Sequence, residues 1–305
     1  MTVVLPDAAP SNWVDRFAPL SLRPWLKLGR FDRPVGIWLL LLPGWQAIAL
    51  AGAAEGRWPD LRLLALFAMG AALMRAAGCA YNDVVDRDLD RRVARTAARP
   101  VASGAVSVRQ AWAFIVGCSL LSFLILLTLG PAAIALGVAS LALVAAYPFM
   151  KRITWWPQAW LGLTFNWGAL VGWAAVTGEV GWAAVLLYAS GVFWTLGYDT
   201  IYALQDLEDD ALAGVKSSAR RLGGRTRVAV AVFYGLSAGL AVGAGWAAGA
   251  GPAYFVGALL FWVHLELQGH FLRVDDPVRA LRLFKSNRDA GLILFAAAVL
   301  GALWT

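Results

Sequence analysis

Charge is what this chain has least of. Of its 305 residues, 15% are Asp, Glu, Lys or Arg and 60% are hydrophobic, with a mean hydropathy of +0.64. A soluble domain carries about a quarter charged residues, so a water-soluble globule is excluded. Cysteine is nearly missing: Cys79 and Cys118 both fall in apolar runs, too few for a disulfide framework and without metal-ligand spacing, and they read as small packed thiols. No Gly-rich phosphate loop, Ser-His-Asp set or cysteine-based zinc motif is present. The alternating ten-residue segments of a membrane barrel are also missing. No cleavable leader is expected, because the first apolar run starts only after Asp7, Asp15 and Asp32.

What the chain does have is apolar runs of roughly 17–25 residues, the length that crosses a bilayer core as helix. The expected fold is an all-α integral membrane protein of nine transmembrane helices. They lie near residues 35–53, 63–83, 109–128, 131–148, 159–177, 181–199, 228–248, 252–271 and 290–305. Gly130-Pro131 and Gly249-Ala250-Gly251-Pro252 mark uncharged tight turns between consecutive spans. Residues 1–34 form a cytoplasmic or interfacial segment. Within it Trp13, Phe17, Leu20, Leu22, Trp25 and Leu28 alternate with basic residues, and Pro19 and Pro24 break the helix. Trp25, Trp58, Trp155 and Trp156 suit the headgroup belt.

The net charge of +7 follows membrane topology and does not call for a nucleic-acid partner. With nine spans, 23 of the 26 Lys and Arg residues fall on one side; only Arg57 and Arg62 face the other, and Arg75 lies within the second span. The positive-inside rule then puts the N-terminus in the cytoplasm and the C-terminus outside. The expected location is a bacterial cytoplasmic (inner) membrane. Residues 1–305 read as one domain, in two related halves of about four helices each.

Two acidic clusters stand out: Asn82-Asp83-Val84-Val85-Asp86-Arg87-Asp88-Leu89-Asp90, and the stretch from Tyr198-Asp199 to Asp206-Leu207-Glu208-Asp209-Asp210. They hold nine of the 19 acidic side chains, each at the end of an apolar run. Carboxylates at a membrane boundary are costly to desolvate, so their concentration needs a cause. On a continuing helix, Asn82, Asp86 and Asp90 share a face, as do Asp199, Asp206 and Asp210. Oxygen donors in such rows suit Mg2+, which takes one or two carboxylates plus phosphate oxygens and waters. The competing reading is a pair of solvated helix ends bridged to nearby arginines; two runs with the same spacing on the same side favour the metal.

A diphosphate needs cations. The candidates are Lys151, Arg152, Arg92, Arg99 and Lys216, with Lys151-Arg152 foremost because little else near it is charged. Arg75, about two turns before Asn82, requires an anion inside a membrane helix. His264, Glu266, Gln268 and His270 read as interfacial polar residues rather than ligands, and Gly239–Gly243 as a helix-packing pair.

At these residues the chain resembles the UbiA superfamily of intramembrane prenyltransferases. Asn82, Asp83, Asp86 and Asp90 match its NDxxDxxxD pattern, which continues into Arg95-Thr96-Ala97-Ala98-Arg99-Pro100-Val101-Ala102-Ser103-Gly104. Tyr198, Asp199, Tyr202, Asp206, Asp209 and Asp210 match YDTxYAxxDxxDD, followed by Gly214-Val215-Lys216-Ser217-Ser218-Ala219. Four further stretches are similar to the 4-hydroxybenzoate polyprenyltransferases: Arg33-Pro34-Val35-Gly36, Tyr147-Pro148-Phe149-Met150-Lys151-Arg152, Pro157-Gln158 and Leu283-Phe284-Lys285-Ser286-Asn287-Arg288. The run from Trp167 to Gly178 is similar as well. The likeness implies nine helices around a central cavity open to lipid, a requirement for Mg2+, and transfer of a polyprenyl chain from its diphosphate to 4-hydroxybenzoate in ubiquinone biosynthesis.

The expected metal set is therefore Asn82, Asp83, Asp86, Asp90, Asp206 and Asp210. Asp199 and Tyr202 are candidates to polarise the acceptor phenol, and Arg75 or Arg33 to bind its carboxylate. The partners are polyprenyl diphosphate, 4-hydroxybenzoate and membrane lipid. The alternatives are another aromatic or tetrapyrrole acceptor and, in a different class, a cation transporter. A transporter would place isolated acids near the midplane on broken helices.

Overall fold

The computed structural model describes residues 12–93, 96–207, 211 and 214–303, and all regular structure among them is helical. Among the described residues two short helices come first, α1 (Trp13–Phe17) and α2 (Arg23–Leu28), parted at Pro19 as expected. Pro24, expected to break the helix too, instead lies in the first turn of α2, where its missing N–H costs nothing. These two helices are followed by α3 (Val35–Ala54), α4 (Leu61–Val85), a single turn α5 (Arg87–Asp90), α6 (Val108–Leu126) and α7 (Pro131–Ile153). Then come α8 (Pro157–Phe165), α9 (Trp167–Thr177), α10 (Trp182–Tyr202), the short α11 (Ser218–Leu222), α12 (Thr226–Ala248), α13 (Pro252–Phe271) and α14 (Pro277–Leu300). Each expected span overlaps a helix, or the pair α8–α9 broken at Asn166. Among the described residues, six stretches are long and apolar enough to cross a membrane: Val35–Ala54, Leu61–Val85, Val108–Leu126, Pro131–Ile153, Pro157–Thr177 and Ser218–Ala248.

Local sequence sets the ends. Pro131, Pro157, Pro252 and Pro277 open their helices, where a missing N–H costs nothing and the fixed φ is already helical. Gly249 closes α12 with φ 67°, and Gly130 turns the chain before α7 with φ 91°, values that side chains with a Cβ rarely adopt. The final helix begins at Pro277, well before the expected 290, so Arg279, Arg282, Lys285 and Arg288 sit on a helix and not in a loop. Basic side chains at a helix end hid the boundary.

The chain forms two compact units, one of residues 1–38 and 69–125, the other of 39–68 and 126–305. In the first, Leu28, Ala80, Val101, Val106 and Ala111 form a buried cluster, and Ala76, Ala77 and Cys118 another. Trp25, expected among headgroups, packs on Phe114 with ring centroids 5.9 Å apart. Along α6 the apolar Val116, Leu120 and Leu124 are exposed, as lipid-facing positions require. In the second unit α10 packs against α8, α12 and α14, and α13 against α12 and α14.

Polar side chains knit this second core. Asn287 Nδ2 and Tyr234 OH both donate to Gln268 Oε1 (3.0 and 2.9 Å), and Trp194 Nε1 donates to Asn287 Oδ1 at 2.8 Å. Gln268 is therefore a buried node of the α10–α12–α13–α14 packing, not an interfacial polar residue; its neighbours across the core supply what the sequence pattern hid. His264 lies against the Ser286 carbonyl at 3.2 Å and His270 is exposed. Gly239 has open space where a Cβ would be, so it is no packing contact. That role falls to Gly197 against Tyr234 and Gly245 against Tyr254.

Candidate active site

The first acidic cluster lies wholly in the first unit. Helix α4 ends at Val85, and Asp86 leaves the helical region with φ −94° and ψ 4° before α5 begins. The helix does not continue as the spacing alone suggested. Even so, the Asp86 N–H donates to the Asn82 carbonyl at 2.9 Å and the Asp90 N–H to the Asp86 carbonyl at 2.8 Å. Four-residue hydrogen bonding thus bridges the break and keeps Asn82, Asp86 and Asp90 in step.

These carboxylates are not a solvated helix end. Asp83 and Asp86 are 0% exposed and Asp90 is 4% exposed, whereas Asp88 is exposed beside Arg87 and Arg91. Asp83 Oδ1 accepts from Arg30 Nη2 at 2.6 Å and lies 3.6 Å from Arg99 Nη1. The same Arg99 nitrogen donates to both oxygens of Asp90, at 3.0 and 2.9 Å. Thr96 donates its hydroxyl to the Asp90 carbonyl at 3.0 Å, which turns the chain so that Arg99 comes back to the cluster. Arg95 lies outside the described residues. Burial pushes the Asp90 carboxyl above the usual carboxylate range; Arg99 opposes this, and the charges of Asp83 and Asp86 add to it. Burial alone would weaken the Arg30 guanidinium, but Asp83 outweighs it and holds Arg30 firmly protonated.

Arg30 carries a second mark. Its φ of 61° is the one positive value at a non-glycine among the described residues, a conformation costing about 1–2 kcal/mol. The guanidinium is fixed from both ends, Nη1 donating to the Lys27 carbonyl at 2.9 Å and Nη2 to Asp83. Sequence reasoning saw only one basic residue among five in that segment and missed it. Asp32 was missed too: it is buried, with Arg33 Nε 3.5 Å from Oδ1. Arg75 extends from α4 over Gly36, its Nε and Nη2 each 2.7 Å from where a Cβ at that glycine would stand. Arg92 is exposed just beyond α5.

The second cluster belongs to the other unit. Helix α10 stops at Tyr202, and residues Ala203–Asp206 form a tighter 3-10 turn. A residue there turns about 120° against about 100° in an α-helix, so four of them carry Asp206 about 80° from its α-helical position. Asp199 and Asp206 therefore do not share a face in the way an unbroken helix would give. Asp199 is half-buried and Asp206 is 9% exposed. Tyr202 packs on Phe284 of α14 with centroids 4.6 Å apart. Asp209 and Asp210 lie outside the described residues.

The basic candidates of this unit are brought together. The Lys216 N–H donates to the Lys151 carbonyl at 3.0 Å, and Lys216 Nζ to the Ile153 carbonyl at 3.1 Å. The segment ahead of α11 is thereby laid along the end of α7, which also bears the exposed Arg152. Ser218 anchors it, its N–H donating to Gln158 Oε1 at 3.0 Å and its hydroxyl paired with Thr200 at 2.6 Å. Gln158 thus ties the basic loop to α8, and Thr200 ties it to α10.

The donors of the first cluster fit a hard divalent cation. All are oxygens, the carboxylates are buried at like charge, and Asp83 Oδ2 is buried without a hydrogen-bond partner. Among the described residues no three His, Cys, Asp or Glu side chains converge on one point. Such a site would be completed by oxygens of a polyphosphate, as Mg2+ sites commonly are.

A membrane-embedded helical protein with acidic helix ends beside basic loops is the class that fold and site define. By sequence the chain belongs to the UbiA prenyltransferase family, which it matches over residues 40–303. It is 47% identical to the mitochondrial 4-hydroxybenzoate polyprenyltransferase of Homo sapiens over 94% of this chain and 77% of that protein. The apo structure of a UbiA homolog from Aeropyrum pernix K1 superposes with a TM-score of 0.71 at 28% identity, covering 86% of this chain and 97% of that one. A UbiA homolog from Archaeoglobus fulgidus bound to GPP and Mg2+ shares the fold, with a TM-score of 0.63 at 17% identity over 92% and 99% of the two chains.

Proposed function

We propose that this protein transfers a polyprenyl group from polyprenyl diphosphate to the 3-position of 4-hydroxybenzoate, a step of ubiquinone biosynthesis. The observation that carries the reading is the buried, arginine-bracketed carboxylate cluster at the end of α4 in a chain with this family membership and these relatives. Asn82, Asp83, Asp86 and Asp90 would hold one Mg2+, and Asp206 with Asp210 a second. When bound, the metal supplies Lewis-acid stabilisation of the departing diphosphate.

The chain's own residues do the rest. Lys151, Arg152 and Lys216, with Arg92 and Arg99, neutralise charge on the diphosphate oxygens as the C1–O bond breaks and its electron pair leaves with the diphosphate. The ring carbon beside the phenol oxygen forms the new bond to C1 and then gives up its proton, for which the departed diphosphate is the base at hand. Asp199 and Tyr202 orient and polarise the phenol, and Arg75 or Arg33 holds the carboxylate. Aromatic faces shelter the allylic cation. We place α10, α13 and α14 in the membrane with the six apolar stretches above, giving nine spans in one functional domain. The basic loops and both acidic clusters would face the cytoplasm of a bacterial cell, across its inner membrane.

Membranes containing the protein, given 4-hydroxybenzoate and a polyprenyl diphosphate, should form 3-polyprenyl-4-hydroxybenzoate with Mg2+ and not with EDTA. Asp86→Ala and Asp206→Ala should each lower the rate by at least about 100-fold. Full activity in both variants would refute the metal assignment. Absence of product at every chain length would point to another aromatic or tetrapyrrole acceptor.

A further inference from the structure

Arg30 is the strangest residue of the first unit: buried, held in a left-handed backbone just beyond α2, and bonded at one end of its guanidinium to the Lys27 carbonyl in the last turn of that helix and at the other to Asp83. A charged side chain buried against a strained turn persists only where its surroundings over-determine it. Asp83 Oδ1 takes the 2.6 Å bond from Arg30, while Oδ2 stays buried with no hydrogen-bond partner. The carboxylate is thus fixed in orientation with one oxygen in reserve. Asp83 adjoins Asn82 on the last turn of α4, one turn ahead of Asp86.

We propose that Arg30 is a positioning residue of the acidic cluster. It locks the Asp83 carboxylate so that its second oxygen is presented to a divalent cation, and it thereby makes the surface segment of residues 12–33 a working part of the site. This rests on the reading of the cluster as a metal–diphosphate site. Carboxylate ligands held by a hydrogen-bonding partner lose metal affinity when that partner is removed, typically 10–100-fold. The left-handed backbone supplies a way to separate side chain from turn. Glycine adopts this φ at no steric cost, so Arg30→Gly keeps the turn and deletes the guanidinium, whereas Arg30→Ala deletes the guanidinium and keeps the strain.

The test uses the full chain in detergent micelles, with Mn2+ as a paramagnetic stand-in and geranyl diphosphate as the allylic probe. Bound Mn2+ is read by electron paramagnetic resonance and folding by thermal unfolding. Wild-type protein should bind Mn2+ more tightly with the diphosphate present. Arg30→Gly relieves the left-handed strain but leaves the buried Asp83 carboxylate without its partner. The variant should therefore unfold at a lower temperature than wild type, remain folded at the assay temperature, and bind Mn2+ about 10–100-fold more weakly. Its KM for the diphosphate should rise while that for the aromatic acceptor stays within about twofold. Arg30→Lys, which keeps the charge but loses the fork, should recover part of the affinity. Wild-type Mn2+ affinity in folded Arg30→Gly would overturn the proposal and leave Arg30 a turn residue. No Mn2+ binding by the wild-type protein, with or without diphosphate, would overturn the parent reading along with it.

Discussion

Asp83 and Asp88 show how little residue type says by itself. They lie five positions apart in one acidic run, yet Asp83 has no exposed surface and a short bond to Arg30, while Asp88 is exposed beside Arg87. The pairing of Arg87 with Asp88 raises the arginine and lowers the acid. It remains a surface pair, and such pairs contribute little. Gly36 is a residue-scale case with functional content. A methyl there would stand 2.7 Å from Arg75 Nε and Nη2, the far end of a flexible side chain, and the nearest atoms it meets all belong to that guanidinium. Gly36→Ala should therefore fold, with stability within about 1 kcal/mol of wild type, but displace the guanidinium. If Arg75 holds the acceptor carboxylate, its KM for 4-hydroxybenzoate should rise roughly tenfold or more, with the diphosphate KM unchanged. Equal KM values for the acceptor in the two proteins would remove Arg75 from that role.

Element by element, the breaks matter more than the lengths. Helix α4 stops at Val85 but passes its hydrogen-bond ladder through Asp86 to Asp90, so spacing read as helix survives the interruption. At the end of α10 the tighter turn of Ala203–Asp206 does not preserve it. What fixes α10 is the buried polar chain from Trp194 through Asn287 to Gln268 and Tyr234, together with Asn166 Nδ2 donating to Thr195 Oγ1 at 2.8 Å. Asn287→Leu would leave the Trp194 Nε1–H unpaired and take one donor from Gln268. The expected loss is about 1–2 kcal/mol, large for a hydrogen bond between membrane helices. It should be measurable by unfolding in mixed micelles, and unchanged stability would show that the chain of bonds adds nothing to the packing of α10.

On the scale of the whole molecule, the proposed orientation follows from the Lys and Arg distribution and can be tested without any activity. In a background lacking Cys79 and Cys118, both buried, single cysteines would be introduced by Ser103→Cys and Glu55→Cys, at exposed positions. Ser103→Cys should react with an impermeant thiol reagent only from the face of the basic loops, and Glu55→Cys only from the opposite face. Labelling of both from one face would overturn the nine-span arrangement. The helices were legible from hydropathy because a segment that must satisfy its own backbone bonds in lipid has one solution. Boundaries were less so where charges sit on helix ends, as at Arg279 and Arg282. The acidic motifs were legible as chemistry, but Gln268 passed as a surface residue and Arg30 as one topology determinant among several.

Sequence by itself determined what depends on local composition: an all-helical chain for a membrane, helix starts at Pro131 and Pro252, and two carboxylate clusters beside basic loops. Hydropathy, fixed φ and net charge act over a few residues, so a linear reading suffices. Only the tertiary structure decided which acids are buried and which arginine each one meets. Arg30 reaches Asp83 across 53 positions and Asn287 reaches Trp194 across 93. Such pairings come from the packing of whole helices, where burial makes an unpartnered charge or amide too costly to keep.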